Sequence, residues 1–321
     1  MNMNNYTLIT DVTGDLDART YEELGVVCIP MGFLFGETEY MHYPDEREMT
    51  VAEFYGKLRD GGMPKTAQIN PLVYKSYFEA ALKEGKDVLY LCFSSGLSGC
   101  CQTANMVAKD LEEDYPGRRV YVLDTLSASA GEGLLVIRAA QEYKKGLSMD
   151  ELIEFVNEDL KHICHWFTVE NLMHLKRGGR LSSFEAIVGS ALKIQPILTV
   201  DTEGKLTVVS KERGTRNALQ YLLKRLREDA ADPAGQTIVI AHADCAEKAE
   251  ALRQMVLAEY PRAEIRTFSI GPIIGSHVGN GMCAMAFYGA RVGVCFPEID
   301  SSGVSPCYKT IRKGNHYVFI R

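Results

Sequence analysis

Four polar, glycine-rich segments and one basic turn hold most of the residues in this chain whose types and spacing could do chemistry. Ser94-Ser-Gly-Leu-Ser-Gly99 follows the apolar run Val88–Phe93 and opens a helix carrying Ala104, Val107 and Leu111. A strand, a small polar loop and a helix N-terminus present free amides and the positive end of the helix dipole, which suits an anion. In open α/β sheets such ligands sit beyond the carboxyl ends of the strands. Thr66-Ala-Gln-Ile-Asn70-Pro71 precedes a helix bearing Tyr74, Tyr77 and Phe78, so the Thr66 hydroxyl could donate to an anion there. Gly271-Pro-Ile-Ile-Gly275-Ser276-His277-Val278-Gly279-Asn280-Gly281 sets one histidine among glycines, a backbone suited to approaching another group closely. Leu175-Lys-Arg-Gly-Gly-Arg180 concentrates positive charge on a turn. Asp11 and Asp15 follow the first apolar run and could hold a metal, orient a loop or cap the turn. Each segment alone also has a plain structural reading: an ordinary turn, a loop threonine, a structural histidine or a solvated basic loop.

Several chemistries lose support. There is no Walker-type phosphate loop. Gly131-Glu-Gly133 lacks the third glycine and the strand-to-helix context of a dinucleotide fingerprint. Ser94-Ser95 does not form a Gly-x-Ser-x-Gly nucleophile elbow. His162 and His165 are three apart on an expected long helix, but no ligand set of zinc spacing joins them.

The 321 residues, 46% hydrophobic and 24% charged, are ordinary globular material of about two domains. A net charge of −7 gives no global basic field for nucleic acid. Nine cysteines, an odd number without a Cys-x-x-Cys pair, read as buried free thiols in a reducing compartment. Met1–Thr10 has neither a basic n-region nor a long apolar stretch, and Val88–Phe93 is far shorter than the roughly 18 residues of a membrane span. The expectation is a cytoplasmic protein with at most transient membrane contact.

These segments need a scaffold. Tyr6–Thr10, Val26–Ile29, Val88–Phe93 and Val120–Asp124 have strand length and alternate with helical patterns, which predicts a parallel sheet covered on both faces. Thr50–Glu53 and Ser148–Glu151 have capping-box spacing, and Asn70-Pro71 is a cap followed by proline at the first helical position. Leu152, Val156, Leu160 and Ile163 predict one long amphipathic helix after Ser148. Ile197–Val200 and Leu206–Ser210 flank a tight turn and predict a hairpin. A helix through Leu219–Leu226 follows, then Thr237–Ala241, a helix from Asp244, and Ile265–Ile270, Cys283–Tyr288 and Val292–Phe296 as strands of a mixed sheet. The expected organisation is two α/β domains, 1–165 with the parallel sheet and 166–300 with the mixed one. A tail, 301–321, follows, whose Tyr317–Ile320 could add an edge strand.

Taken in order, Asp11…Asp15-Leu16, Thr66-Ala-Gln, Ser94–Gly99, Asp124-Thr125, Leu175–Arg180 and Gly271–Gly281 resemble the DegV family of bacterial lipid-binding proteins, over roughly Leu8 to Phe296. That family includes fatty-acid-binding subunits that work with a fatty acid kinase. The resemblance implies two α/β domains with the ligand in the cleft between them and the acyl chain in a tunnel of the N-terminal domain. It implies Thr66, Ser94, Ser95 and His277 as contacts of the fatty-acid carboxylate, with Arg180 and His277 presenting the head group to a separate kinase. It implies no catalytic residue, metal or cofactor in this chain. Met31, Tyr74, Phe78 and Leu97 are candidates for the tunnel wall, although core packing accounts for them equally well. Val12, Ala67, Asn70 and Asn280 depart from the family pattern, so one head-group donor is expected to be missing. The competing reading is a Ser/His hydrolase or acyltransferase using Ser94 or Ser95 with His277 as base. A hydroxyketone-binding kinase subunit is a third, without a nucleotide loop to support it.

Overall fold

A computed structural model of the chain describes residues 5–181, 194–291, 309–313 and 316–320. The first half opens with β1 (Tyr6–Asp11), α1 (Ala18–Leu24) and β2 (Val27–Ile29). A hairpin the sequence reading missed comes next, β3 (Met31–Phe35) and β4 (Thr38–His42), followed by α2 (Val51–Arg59) and β5 (Pro64–Thr66). Then come α3 (Pro71–Lys83), β6 (Asp87–Cys92), α4 (Cys100–Asp114), β7 (Val120–Asp124), α5 (Ser129–Lys144) and α6 (Met149–Asp159). Strands β2-β1-β6-β7 form an all-parallel sheet, while β4-β3-β5 form a small antiparallel one. Both capping boxes close, at Thr50/Glu53 and Ser148/Glu151, and the Asn70 side chain accepts from the Leu72 amide.

The second half begins at β8 (Ile163–Thr168), continues through α7 (Met173–Arg177), β9 (Ile194–Val200), β10 (Leu206–Arg213), α8 (Thr215–Asp229) and β11 (Thr237–His242), and ends its sheet with α9 (Ala246–Glu259), β12 (Glu264–Ser269), α10 (Pro272–Val278) and β13 (Cys283–Tyr288). The sheet order is β10-β9-β8-β13-β11-β12, antiparallel except for β11–β12. This is the α/β architecture expected, with a parallel first sheet and a mixed second one.

Three expectations change. The long helix ends at Asp159; Leu160–His162 is a 3-10 turn and Ile163 already belongs to β8. His162 and His165 therefore lie on different elements, and a boundary at 165/166 would cut a strand that pairs along its whole length with β13. The tail does not extend the main sheet: β14 (Lys309–Lys313) and β15 (His316–Ile320) pair with each other. The expected strand Val292–Phe296 lies outside the described residues.

Helix α5 joins the halves. Twelve of its residues are buried, and the four successive apolar ones Leu134, Leu135, Val136 and Ile137 point to all sides, so the helix is covered all round at its middle. It packs on β1, α1 and α6 in the first half and on β8, β11 and β13 in the second. Strand alternation divides the mixed sheet's side chains cleanly. Ile163, Phe167, Val239 and Ala241 join the core that continues into the first half. Cys164, Trp166, Ile238 and Ile240 face the other way, into a second core with Leu219, Leu222 and Leu226 of α8 and Leu252 of α9.

Candidate functional site

A cavity with about 750 Å3 of atom-free space, its open mouth included, lies between the two halves. Its walls are mostly apolar. Met31, Phe93 and Leu97 come from the first half, and Phe167, Val200, Leu206, Ile273, Ile274, Val278, Met282 and Ala284 from the second. The residues at the start of α5, Ala128–Gly131, close one side. The cavity is therefore built by both halves and is not a tunnel of the N-terminal domain. Met31 and Leu97 line it as expected. Tyr74 and Phe78 do not: both are fully buried and pack edge-on or tilted with Tyr90, each ring centroid 5.6 Å from the next.

Polar side chains gather at one rim. Thr66 ends β5, held in register opposite Phe33 of β3. His277 rides on α10, which has Pro272 at its first position and packs so tightly on α2 that a Cβ at Gly275 would sit 2.7 Å from the Tyr55 hydroxyl. The same tyrosine donates to the Ile270 carbonyl at 2.9 Å, fixing where α10 begins. Asp15 fixes it again: its carboxylate accepts from the Gly271 amide at 2.9 Å and the Ser129 hydroxyl at 2.6 Å. Burial, opposed by those two bonds, pushes the Asp15 pKa up to about 7. Asp11 accepts from Thr13, the Tyr90 hydroxyl at 2.6 Å and the Phe93 amide, so both loop acids orient backbone.

Thr66 Oγ1 lies 2.8 Å from His277 Nε2. Arg180 stands beside them, its Nε donating to the Leu97 carbonyl at 3.0 Å and its Nη1 to the Gly178 carbonyl. Burial, reinforced by the Arg180 charge, lowers the His277 pKa to about 4, so the ring is neutral near pH 7. Its Nδ1 has no hydrogen-bond partner among the described residues and faces Gly178, where a Cβ would approach to 2.2 Å. Outside the rim a second cleft, about 850 Å3 counted to open solvent, is bounded by Met63, Pro64, Lys65, His174, Arg177, Gly178 and Ser276. Thr66, Arg180 and His277 line both spaces. Among the described residues no carboxylate borders the outer one.

The structure thus brings Thr66, Arg180 and His277 together. Ser94 and Ser95 stand apart from the cavity wall. Ser94 is fully buried and donates to the Gly204 carbonyl at 2.8 Å, tying the loop to the turn of the β9–β10 hairpin. Ser95 is exposed, and its amide donates to Asp124. Neither serine pairs with His277, so the geometry of an activated hydroxyl is not assembled there. Ser98, Ser129 and His165 also line the cavity, and of these the sequence reading weighs only His165, as a metal ligand. The departures at Val12, Asn70 and Asn280 have structural work: Val12 is core, Asn70 caps α3, and Asn280 donates to Asp244. Ala67 keeps a backbone bond to Gly32 but offers no hydroxyl.

The family model described as "Uncharacterised protein, DegV family" matches residues 5–290. The chain belongs to the DegV family. A DegV domain-containing protein of Clostridium perfringens, CPE0026, is 40% identical over 287 residues, 89% of this chain and 98% of that one. Among solved structures, a DegV family protein from Thermus thermophilus described for its fatty acid binding is 32% identical. It superimposes with a TM-score of 0.79 over 88% of this chain and 99% of its own. The DegV fatty acid binding protein of Bacillus subtilis is 28% identical, with a TM-score of 0.77 over 88% and 98%. No helix among the described residues is long and apolar enough to cross a membrane.

Proposed function

We propose that this chain binds a long-chain fatty acid in the cavity between its halves and presents the carboxylate, at the rim, to a separate fatty acid kinase that converts it to an acyl phosphate. The observation that carries the reading is that Thr66, Arg180 and His277 border both the apolar cavity and the basic outer cleft. An acyl chain gains about 0.8 kcal/mol for each methylene it buries. A carboxylate taken from water without partners would forfeit much of that gain, so it needs donors and a cation. The Thr66 hydroxyl, the neutral His277 ring and the Arg180 guanidinium meet that need where the apolar wall ends. Ser94 and Ser95 join as carboxylate contacts if the Ser94–Gly204 bond opens when ligand enters. Lys65 and Arg177 add positive charge beyond the rim, suited to a carboxylate becoming a phosphate. The fatty acid binding described for the Thermus and Bacillus proteins supports the ligand class. On this reading the protein is a cytoplasmic carrier of two α/β halves, the second beginning at β8, with no turnover of its own.

Mass spectrometry tests the ligand first. Native spectra of the purified protein should show a one-to-one complex that releases a long-chain fatty acid on organic extraction. An apo mass, together with failure to take up added fatty acid, would sink the reading. With a kinase partner reconstituted, Arg180→Ala and His277→Ala should harm phosphorylation more than binding. Phosphorylation untouched by both would remove the assigned head-group roles.

A further inference from the structure

Alternation along β8 sends every second side chain toward α5, and one of them is a histidine. Ile163 and Phe167 are apolar, while His165 between them brings two ring nitrogens to the cavity wall. His165 is only 5% exposed, and apart from an approach by the Ile163 backbone neither Nδ1 nor Nε2 has a hydrogen-bond partner among the described residues. Native structures rarely leave a buried polar side chain so, and each case calls for an explanation.

The open first turn of α5 faces it. Gly131 is so near that a Cβ there would meet His165 Nε2 at 1.9 Å. Ala128, the cap residue, gives this turn no side-chain hydrogen bond, and the amides of Ser129 and Ala130 take no partner among the described residues. The Ser129 hydroxyl is already committed to Asp15. These residues line the cavity together with His165. Burial, with Arg291 nearby, holds the ring's pKa well below its ordinary value despite an opposing hydrogen bond with the Ile163 backbone, so the imidazole is neutral and keeps one unprotonated, accepting nitrogen. First-turn amides offer donors only. A hydroxyl, which both accepts and donates, fits between them.

Strand register separates this place from the rim. Helix α10 leaves β12 after Ser269, and the pairs Ser269–His242, His242–Cys283 and Cys283–Thr168 carry that end across the sheet to Thr168. His165 lies three residues earlier on β8, about 10 Å along the strand. A ligand whose carboxylate sits at Thr66 and His277 would pass His165 part-way along its chain.

We infer that the cavity selects a long-chain fatty acid carrying a hydroxyl part-way along the chain, held between His165 and the first turn of α5. The inference rests on the fatty-acid reading above and narrows its ligand class. The hydroxyl accepts from an α5 amide and donates to the unprotonated ring nitrogen. A plain chain leaves all of these groups unpaired, and a site built to bond a hydroxyl discriminates strongly against the analogue lacking it.

The test is displacement of a fluorescent fatty-acid probe by octadecanoic acid and by a series of hydroxyoctadecanoic acids differing in hydroxyl position. The wild-type protein, His165→Leu and His165→Gln are compared, with folding followed by thermal melts. One positional isomer should bind the wild type about tenfold more tightly than octadecanoic acid, a difference of about 1.4 kcal/mol. In His165→Leu that ratio should fall to near one because the plain acid binds more tightly, and His165→Gln should keep part of the preference. The inference is overturned by a wild type without positional preference, by a preference that survives in His165→Leu, or by equal weakening of all acids in both variants, which would assign His165 to the carboxylate. If the probe and every acid fail to bind the wild type, the fatty-acid reading itself falls.

Discussion

Gly178→Ala touches no functional group, yet it should disable His277. Gly178 has φ −71° and ψ −9°, ordinary helical values that alanine adopts without strain. The added Cβ, however, would lie 2.2 Å from His277 Nδ1 and 3.0 Å from Cε1, where ordinary contact begins at 3.4 Å. The ring must retreat by about 1 Å, and overpacking of this kind costs about 1–3 kcal/mol. Because Nε2 is only 2.8 Å from Thr66 Oγ1, such a shift breaks that bond, worth about 1 kcal/mol more. Restricting the unfolded chain returns about 0.4–1 kcal/mol. Denaturant melts should therefore register a net loss of about 1–3 kcal/mol, and fatty-acid affinity should fall about tenfold as a head-group donor moves away. The control is the same change in a His277→Ala background, where no ring remains to push and the step should be neutral within about 0.5 kcal/mol. A Gly178→Ala cost that is identical in both backgrounds, or an unchanged affinity, would refute the argument that this glycine exists to seat the imidazole.

Asp15 should give stability an unusual pH slope. Its carboxyl pKa is raised from 3.8 to about 7 on folding, so between those values the folded protein holds a proton that the unfolded chain has released. Stability from this group is therefore complete below 3.8 and is lost as pH rises through 7, on the order of 2–3 kcal/mol between about pH 5 and pH 8. Asp15→Asn should flatten that decline in urea titrations read as a difference from wild type; an unchanged slope would mean the carboxyl is ionised throughout. The two adjacent serines should separate. Ser94→Ala leaves the Gly204 carbonyl without its partner and should cost about 1–3 kcal/mol, whereas exposed Ser95→Ala should stay within about 0.5 kcal/mol, and equal effects would contradict the burial difference.

What the sequence disclosed follows the range of the interactions involved. Strand lengths, both capping boxes and the Asn70-Pro71 start are local patterns, and they reappear where expected. The β3–β4 hairpin was missed because Phe33 and Phe35 pair with a strand whose outer residues, Thr38 and Glu39, are exposed, which blurs the alternation. The helix from Ser148 was drawn too long because Leu160 and Ile163 keep the helical spacing by chance while entering a turn and β8. Thr66, Arg180 and His277 could be named from their segments, but their meeting needed three connections of long range. Tyr74 and Phe78 show the reverse difficulty: aromatic residues at helical spacing look alike whether they line a cavity or fill a core. His165 carried a signal that was passed over, since a polar residue at an inward position of an apolar strand must find a partner or wait for one.

The position of the cavity makes ligand and fold interdependent. One continuous core runs through both halves, and α5 is packed against each, while the second half keeps a separate core behind its sheet. The rim is assembled in the same way: Thr66 comes from the first half and His277 from the second, and the bond between them crosses the seam. Asp15 crosses it again by holding Gly271 at the start of α10. A chain buried between these walls adds apolar contact to both at once, and a ligand that binds only the folded form stabilises it by mass action. Carboxylate recognition and the packing of α10 are thus one structural problem. Gly275 against Tyr55, Gly178 against His277 and Gly131 against His165 are the close approaches that solve it. The concentration of glycine around His277 is explained by the bulk of what those glycines touch.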